Sequence, residues 1–126
     1  MPSPADRRYS ESHEWHKFDG DLATLGISKF AVDELTDVTY VEIKPVGTKI
    51  KAGDAIGEVE SVKATSEVFS AVGGEIVDVN RALADDPAIL NRDPYEAGWL
   101  CRIKVSDPAP LKALMSQSVY DEKHPT

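Results

Sequence analysis

Lys63 is the residue of this sequence whose position best suits covalent chemistry. It lies between residues 55–62 and 65–70, two segments of strand length that are rich in β-branched residues. These segments predict a β-hairpin with Lys63 at or beside its tip. A lysine there is solvated and mobile, and its deprotonated amine is a nucleophile that a modifying enzyme can reach. Lys63 is therefore a candidate attachment site for a covalent cofactor, although an ordinary surface lysine at a turn fits the same pattern.

Two similar arms flank this hairpin and help to decide between those interpretations. Residues 50–54 and 71–80 each consist of a glycine-containing turn that leads into a strand. Residues 75–80 alternate in polarity, imperfectly, as a half-buried strand does. Paired arms around one hairpin predict a two-fold β-sandwich, a barrel-like scaffold that displays the lysine turn.

The segments before the hairpin predict two strands and a helix. Residues 22–27 alternate as a strand, and Ser28 can cap a helix from Lys29 to about Leu35. Residues 37–43 return as a strand.

The segments after the hairpin predict two further helices. Asp86 before Pro87 is typical of an N-cap and a first-turn proline, which predicts a short helix through Leu90. The same pairing at residues 107–108 predicts a C-terminal helix over about 108–118, with one apolar stripe formed by Leu111, Leu114 and Met115. We expect residues 121–126 to be frayed.

The composition indicates a small carrier rather than an enzyme. The chain has 126 residues, 41% of them hydrophobic, which predicts a single domain over residues 1–126 with little room for a separate substrate pocket. The net charge of −8 argues against binding to nucleic acid. No apolar run approaches 18 residues, and residues 1–8 do not form a leader, so we expect a cytoplasmic protein without a membrane partner.

Other reactive residues give weaker predictions. His13 and His16 have a spacing that metal ligands use, but on a strand they would point to opposite faces and they lack a third ligand. No serine lies in a nucleophile-elbow context, and the single Cys101 reads as a structural residue of a strand. We therefore predict no metal site and no catalytic residues.

The motifs of the chain, in their order, resemble the glycine cleavage H-protein family over about residues 7–105. The motifs that carry the resemblance are Tyr9 with Ser12-His13-Glu14-Trp15, Gly26-Ile27-Ser28, Val41-Glu42-Ile43, Pro45-Val46-Gly47, Glu60-Ser61-Val62-Lys63-Ala64, Gly74-Glu75-Ile76-Val77-Asp78-Val79-Asn80, Asn91-Arg92-Asp93-Pro94-Tyr95 and Gly98-Trp99-Leu100. Val62 and Ala64 stand where biotin carriers have methionines, which argues against biotin.

The resemblance implies a mainly β fold, the barrel-sandwich hybrid or hammerhead of lipoyl and biotinyl carriers, with short peripheral helices and a C-terminal helix. Its lipoyl-bearing core would span about residues 22–105. It also implies (R)-lipoate bound covalently to Lys63, with Glu60 and Ser61 recognised by the lipoylating enzyme.

The implied function is the shuttling of an aminomethyl group within the glycine cleavage system. The carrier would receive the group from glycine decarboxylase, a pyridoxal phosphate enzyme, and deliver it to a tetrahydrofolate-dependent aminomethyltransferase. Electrons would pass to dihydrolipoyl dehydrogenase. The alternatives are an H-protein-like lipoyl relay for another lipoyl-dependent pathway and a lipoyl domain of the 2-oxo-acid dehydrogenase type.

The resemblance further implies a cleft for the loaded arm, lined by Ser12, Glu14 and Glu67, whose oxygens would accept hydrogen bonds from a cationic amine. Two solvated carboxylates at strand edges are the alternative interpretation of Glu14 and Glu67. The sequence departs from the family pattern at Glu67 (usually aspartate), Thr36 (usually glycine) and Lys44 (usually leucine).

Overall fold

The computed structural model describes residues 7–10, 12–107 and 114–123. The order of elements is β1 (Arg8–Tyr9), β2 (Glu14–Asp19), β3 (Leu22–Ile27), α1 (Lys29–Leu35), β4 (Val38–Ile43), β5 (Lys49–Ile50), β6 (Ala55–Ser61), β7 (Thr65–Phe69), β8 (Gly73–Val79), α2 (Ala82–Asp85), α3 (Ile89–Arg92), β9 (Cys101–Asp107) and α4 (Gln117–Lys123).

The strands form two antiparallel sheets. A six-stranded sheet has the order β1-β2-β3-β9-β8-β5, and a three-stranded sheet has the order β4-β6-β7. Apolar side chains from both sheets share one core, with Leu25 and Ile103 from the larger sheet and Val59 and Val68 from the smaller one. Cys101 is fully buried in the same core. The mainly β fold with short helices and a C-terminal helix is thus confirmed.

The predicted hairpin is present as β6 and β7. Glu58 pairs with Glu67 and Glu60 pairs with Thr65, so residues 62–64 form the tip. Strand β4 lies against β6 at Gly57, where a Cβ atom would overlap the carbonyl oxygen of Glu42. Glycine is therefore required there for the close approach of the two backbones.

Helix α1 begins and ends as the sequence predicts. Ser28 is its N-cap, and the Ser28 hydroxyl accepts a hydrogen bond from the Ala31 amide at 3.3 Å. The helix ends at Thr36, which has a φ of 63°, a conformation that favours glycine.

The short helices after the hairpin differ from the prediction. Asp86 does not cap a helix at residues 87–90: it closes α2, a helix that the sequence did not predict, and α3 starts at Ile89 with Ala88 as its N-cap. The Asp86 carboxylate instead accepts a hydrogen bond from the Arg92 guanidinium at 2.6 Å. The Asp-Pro pairing thus marks the junction between two helical turns.

The C-terminal helix also differs from the prediction within the described residues. It spans Gln117–Lys123, so residues 121–123, which we expected to be frayed, are helical. Met115 forms an isolated antiparallel bridge with Tyr9, so the predicted helix is not formed at residues 114–116. Residues 108–113, including Leu111, and residues 124–126 lie outside the described residues. Within the part of the chain that the structure describes, none of the helices has the length and apolarity needed to cross a bilayer.

Candidate functional site

The tip of the β6–β7 hairpin is held in shape by Ser61. Its hydroxyl accepts hydrogen bonds from the amides of Lys63 at 3.1 Å and Ala64 at 3.0 Å, and it donates to the Ala64 carbonyl at 3.1 Å. The amide of Val62 donates to the Asp37 carbonyl at 3.1 Å. Because these bonds fix the backbone, the Lys63 side chain projects from a rigid turn into solvent.

Lys63 leans from this turn towards helix α1. Its Nζ donates a hydrogen bond to the carbonyl oxygen of Glu34 at 3.1 Å, in the last turn of the helix. A cation is favourable at that end of a helix, where carbonyl groups lack helical partners. The contact directs the lysine side chain across the gap between the hairpin and α1.

A cleft of about 360 Å³ lies between the hairpin, helix α1 and the start of β2. Polar groups line part of it, and apolar side chains form the remainder of the wall. The lining residues are Ser12, His13, Glu14, Ile27, Phe30, Ala31, Glu34, Leu35, Val59, Ser66, Glu67 and Val68. The structure thus brings together the three residues that the resemblance assigned to a cleft, Ser12, Glu14 and Glu67.

Glu14 is the buried polar group of this cleft, with 2% of its surface exposed. Its Oε1 accepts hydrogen bonds from the hydroxyls of Ser10 at 2.6 Å and Ser12 at 2.5 Å, and its Oε2 accepts one from the Phe69 amide at 3.2 Å. Burial raises the pKa of Glu14, because desolvation outweighs the hydrogen bonds that favour the ionised form. A cation that enters the cleft would stabilise the ionised carboxylate and so offset the cost of its desolvation.

Glu67 differs from Glu14 in being exposed. It stands on β7 directly opposite Glu58, and it lines both the cleft and a second groove beside β4 and β6. Glu60 also lies on the hairpin, where it is half-buried and pairs with Thr65. These two carboxylates are therefore accessible from outside.

Sequence reasoning did not assign nine of the twelve lining residues to the cleft, and His13, Phe30 and Glu34 are among them. His13 has a φ of 75°, and its ring packs on Phe30 with 4.8 Å between ring centroids. Glu34 adds a third glutamate to the lining. Because His13 stands between Ser12 and Glu14 in the sequence, its place in the cleft could have been predicted. Phe30 and Glu34 reach the cleft only because α1 packs beside the hairpin, which the sequence alone does not reveal.

The two histidines considered as metal ligands form hydrogen bonds with different residues. His13 Nδ1 shares a hydrogen bond of 2.8 Å with the Tyr120 hydroxyl, whereas His16 Nε2 accepts one of 3.1 Å from the Ala71 amide. His13 precedes β2 rather than lying on it. Among the described residues, no three histidine, cysteine or acidic side chains are grouped so as to hold a metal ion.

A lysine on a rigid hairpin tip, beside a cleft with a buried carboxylate, defines a class of protein: a small carrier domain that presents one modifiable side chain. Comparison with known proteins identifies the family within that class. Residues 7–125 match the family model described as "Glycine cleavage H-protein".

Individual relatives agree with the family model. The chain is 47% identical to a glycine cleavage system H protein of Alcanivorax borkumensis, over 93% of this chain and 91% of the relative. It is 46% identical to the H protein of Chlorobium limicola, over 97% of each chain. A crystal structure of a glycine cleavage system H protein from Mycobacterium marinum superposes with a TM-score of 0.84 at 37% identity, covering 95% of this chain and 97% of that one.

The chain therefore belongs to the glycine cleavage H-protein family. Proteins of this family carry lipoate, and the sequence-based prediction of a lipoyl carrier of the glycine cleavage system is confirmed at that level.

Proposed function

We propose that this protein carries lipoate as an amide on Lys63 and is itself not a catalyst. The observation that carries the proposal is the exposed lysine, held on a turn that Ser61 fixes, with Nζ 3.1 Å from the Glu34 carbonyl at the edge of the cleft. A modifying enzyme has access to the side chain, and the turn loses no hydrogen bond when Nζ is acylated. The residues present therefore fit the cofactor.

Lipoate supplies, when bound, a disulfide that accepts an aminomethyl group together with an electron pair. The chain's own contribution is the cleft that receives the end of the arm. Ile27, Phe30 and Val59 give the cleft apolar walls that exclude water. Glu14, with Ser12 on one of its oxygens, offers a desolvated carboxylate to the cationic amine of the cargo.

Glu67 would contribute a second carboxylate from the exposed side of the cleft. It is one methylene longer than the aspartate usual in the family, and solvent around it screens its charge. We therefore assign the main attraction for the amine to Glu14 and a weaker one to Glu67.

The hairpin would also carry the recognition features for the lipoylating enzyme. Glu60 is half-buried near Lys63 and leaves part of its side chain open to a partner. Ser61, which we expected to act with it, has its hydroxyl engaged in the turn, so its part in recognition is to present Lys63 in one geometry.

The partners that follow from this function are glycine decarboxylase, aminomethyltransferase, dihydrolipoyl dehydrogenase and the lipoylating enzyme, all acting in the cytoplasm. Each would meet the tip of the same hairpin in turn. The net charge of −8 would favour basic surfaces on these partners.

The direct test is intact and peptide mass spectrometry of the protein purified from its native host. We expect a lipoyl adduct on the peptide that contains Lys63 and none on the peptide that contains Lys51, another exposed lysine in a turn. An unmodified Lys63 in cells that lipoylate other proteins would contradict the proposal.

A further inference from the structure

Tyr120, near the C-terminal end of the chain, contacts His13, one of the residues that line the cleft. It lies on α4, is fully buried, and stacks on Tyr9 with 4.7 Å between ring centroids. Its hydroxyl is 2.8 Å from Nδ1 of His13 and 2.5 Å from the hydroxyl of Ser28. One phenol oxygen thus joins two elements that are far from α4 in sequence.

Both partners of the Tyr120 hydroxyl belong to the framework of the cleft. Ser28 caps helix α1, and its amide donates to the His13 carbonyl at 2.8 Å. His13 lines the cleft between Ser12 and Glu14 and packs on Phe30. Moving His13 would therefore move the residues on either side of it and loosen the contact with α1.

His13 adopts a backbone conformation that needs such support. A φ of 75° is uncommon for a residue other than glycine and is maintained only when surrounding contacts determine it. The bond to Tyr120 and the ring contact with Phe30 hold the side chain, and the bond from the Ser28 amide holds the backbone.

We propose that Tyr120 is a positioning residue for the cleft: its hydroxyl fixes the imidazole of His13 and the cap of α1, and thereby the placement of Ser12 and Glu14. This inference rests on the proposed function of the cleft as the site that shelters the cargo amine. The ring of Tyr120 is held by Tyr9 whether or not the hydroxyl is present, so the positioning depends on one oxygen atom.

The electrostatic surroundings keep that oxygen protonated. Burial raises the pKa of Tyr120 to about 12, so the hydroxyl remains a neutral donor and acceptor at physiological pH. The hydroxyl has one proton, so between His13 and Ser28 it donates to one and accepts from the other. Either arrangement of the protons retains both hydrogen bonds.

Tyr120→Phe tests the proposal, and Tyr40→Phe is the matched control. Tyr40 is 47% exposed on the outer face of the three-stranded sheet, so the control removes the same atom away from the cleft. Both variants are prepared with lipoate attached, loaded by glycine decarboxylase with glycine, and followed by the release of formaldehyde and ammonia. We expect release to be about three- to tenfold faster from Tyr120→Phe, the range that one lost hydrogen bond implies, and unchanged in Tyr40→Phe.

A second measurement uses wild-type and Tyr120→Phe protein without lipoate and reports directly on the hydrogen bond between Tyr120 and His13. The imidazole ¹⁵N resonances of His13 are expected to shift in Tyr120→Phe, while those of His16, which bonds to Ala71 instead, stay in place as an internal reference. Unchanged His13 resonances would overturn the proposal, as would a normal release rate in Tyr120→Phe despite shifted resonances.

The two measurements also separate this inference from the proposed function. If the wild-type protein gives its cargo no protection, the function proposed for the cleft fails. The ¹⁵N resonances still decide whether Tyr120 holds His13.

Discussion

The hairpin tip and the cleft are neighbours that are built in opposite ways. The tip consists of three exposed residues whose backbone is fixed mainly by Ser61 and by the strands on either side, with one bond from the Val62 amide to the more distant Asp37 carbonyl. The cleft combines β2, α1, the hairpin and, through Tyr120, α4, and it contains a carboxylate that is 2% exposed. Mostly local contacts form the tip, whereas contacts between distant segments form the cleft.

This difference separates two properties of a carrier, namely attachment of the cofactor at the tip and protection of the cargo in the cleft. Substitutions at the exposed tip remove a chemical group without disturbing packing, because nothing there is desolvated. Substitutions in the cleft change packing, desolvation and function together. The comparison predicts that attachment of the cofactor and protection of the cargo can be altered independently.

The largest effect is expected at the tip. Lys63→Arg keeps the positive charge but cannot form the amide, so lipoylation and glycine decarboxylation coupled through this protein fall to background. The free energy of unfolding changes by less than about 0.5 kcal/mol, as for other surface substitutions. Intact mass, coupled decarboxylation and urea unfolding measure the three quantities, and Lys51→Arg is the control. Glycine decarboxylation coupled through the Lys63→Arg protein would contradict the assignment of Lys63 as the attachment site of lipoate.

The next largest effect concerns stability in acid and comes from His16, which is fully buried. Burial lowers the pKa of His16 to about 3, from 6.5 in the unfolded chain, so the folded protein binds this proton less tightly. Stability from this residue is complete above pH 6.5 and is lost as pH falls towards 3, by up to about 1.4 kcal/mol per pH unit.

Urea unfolding at a series of pH values between those limits measures that loss. His16→Gln has no proton to gain, so we expect a shallower decline in the variant than in the wild-type protein. Equal slopes would mean that other groups govern the acid dependence.

We expect Glu14→Gln to weaken protection of the cargo and to change how the free energy of unfolding depends on pH. The variant removes the charge that attracts the amine, so release of the cargo accelerates by about tenfold, in line with the strength of charged hydrogen bonds. Because burial raises the pKa of Glu14, the ionised form is disfavoured in the folded protein above pH 4.5. Ionisation of Glu14 therefore lowers the stability of the wild-type protein as pH rises above 4.5, and the variant lacks that pH-dependent loss.

Release assays and unfolding curves at several pH values measure both effects of Glu14→Gln. Glu58→Gln, an exposed change on the hairpin outside the cleft, is the control. A Glu14→Gln protein that keeps its cargo as long as the wild-type protein does would refute the role of Glu14.

The smallest effect is expected where the tip and the cleft join. Thr36 ends α1 with a φ of 63°, which is strained for a β-branched residue. Thr36→Gly relieves that strain and raises the free energy of unfolding by about 1 kcal/mol, with lipoylation unchanged. Thermal or urea unfolding provides the measurement. A loss of stability would show that the contact of the Thr36 hydroxyl with the Leu35 carbonyl outweighs the strain.

The sequence predicted the parts that depend on neighbouring residues. The hairpin, the position of Lys63 and the capped helix α1 each follow from residues within one short segment. Family resemblance supplied Ser12, Glu14 and Glu67, and the structure places them in one cleft. Their roles remain predictions that the experiments above address.

The remaining features depend on contacts between distant segments. Asn91 accepts a hydrogen bond from the Val38 amide and donates one to the Thr36 carbonyl, which supports the strained turn from another part of the chain. Met115 pairs with Tyr9 through the backbone, and its side chain packs against the cluster of Tyr9, Trp15 and Tyr120 rather than on a helix face. No pattern within residues 108–118 contains that information.

Cys101 has a practical consequence for a protein that carries a dithiol. It is the single cysteine of the chain and is fully buried, and burial raises its pKa to about 12, so it forms almost no thiolate. Thiol–disulfide exchange requires an accessible thiolate. Cys101 is therefore unable to exchange with the disulfide of the lipoyl arm. A thiol-reactive dye added to the reduced native protein would label two thiols for each lipoyl group and leave Cys101 unlabelled.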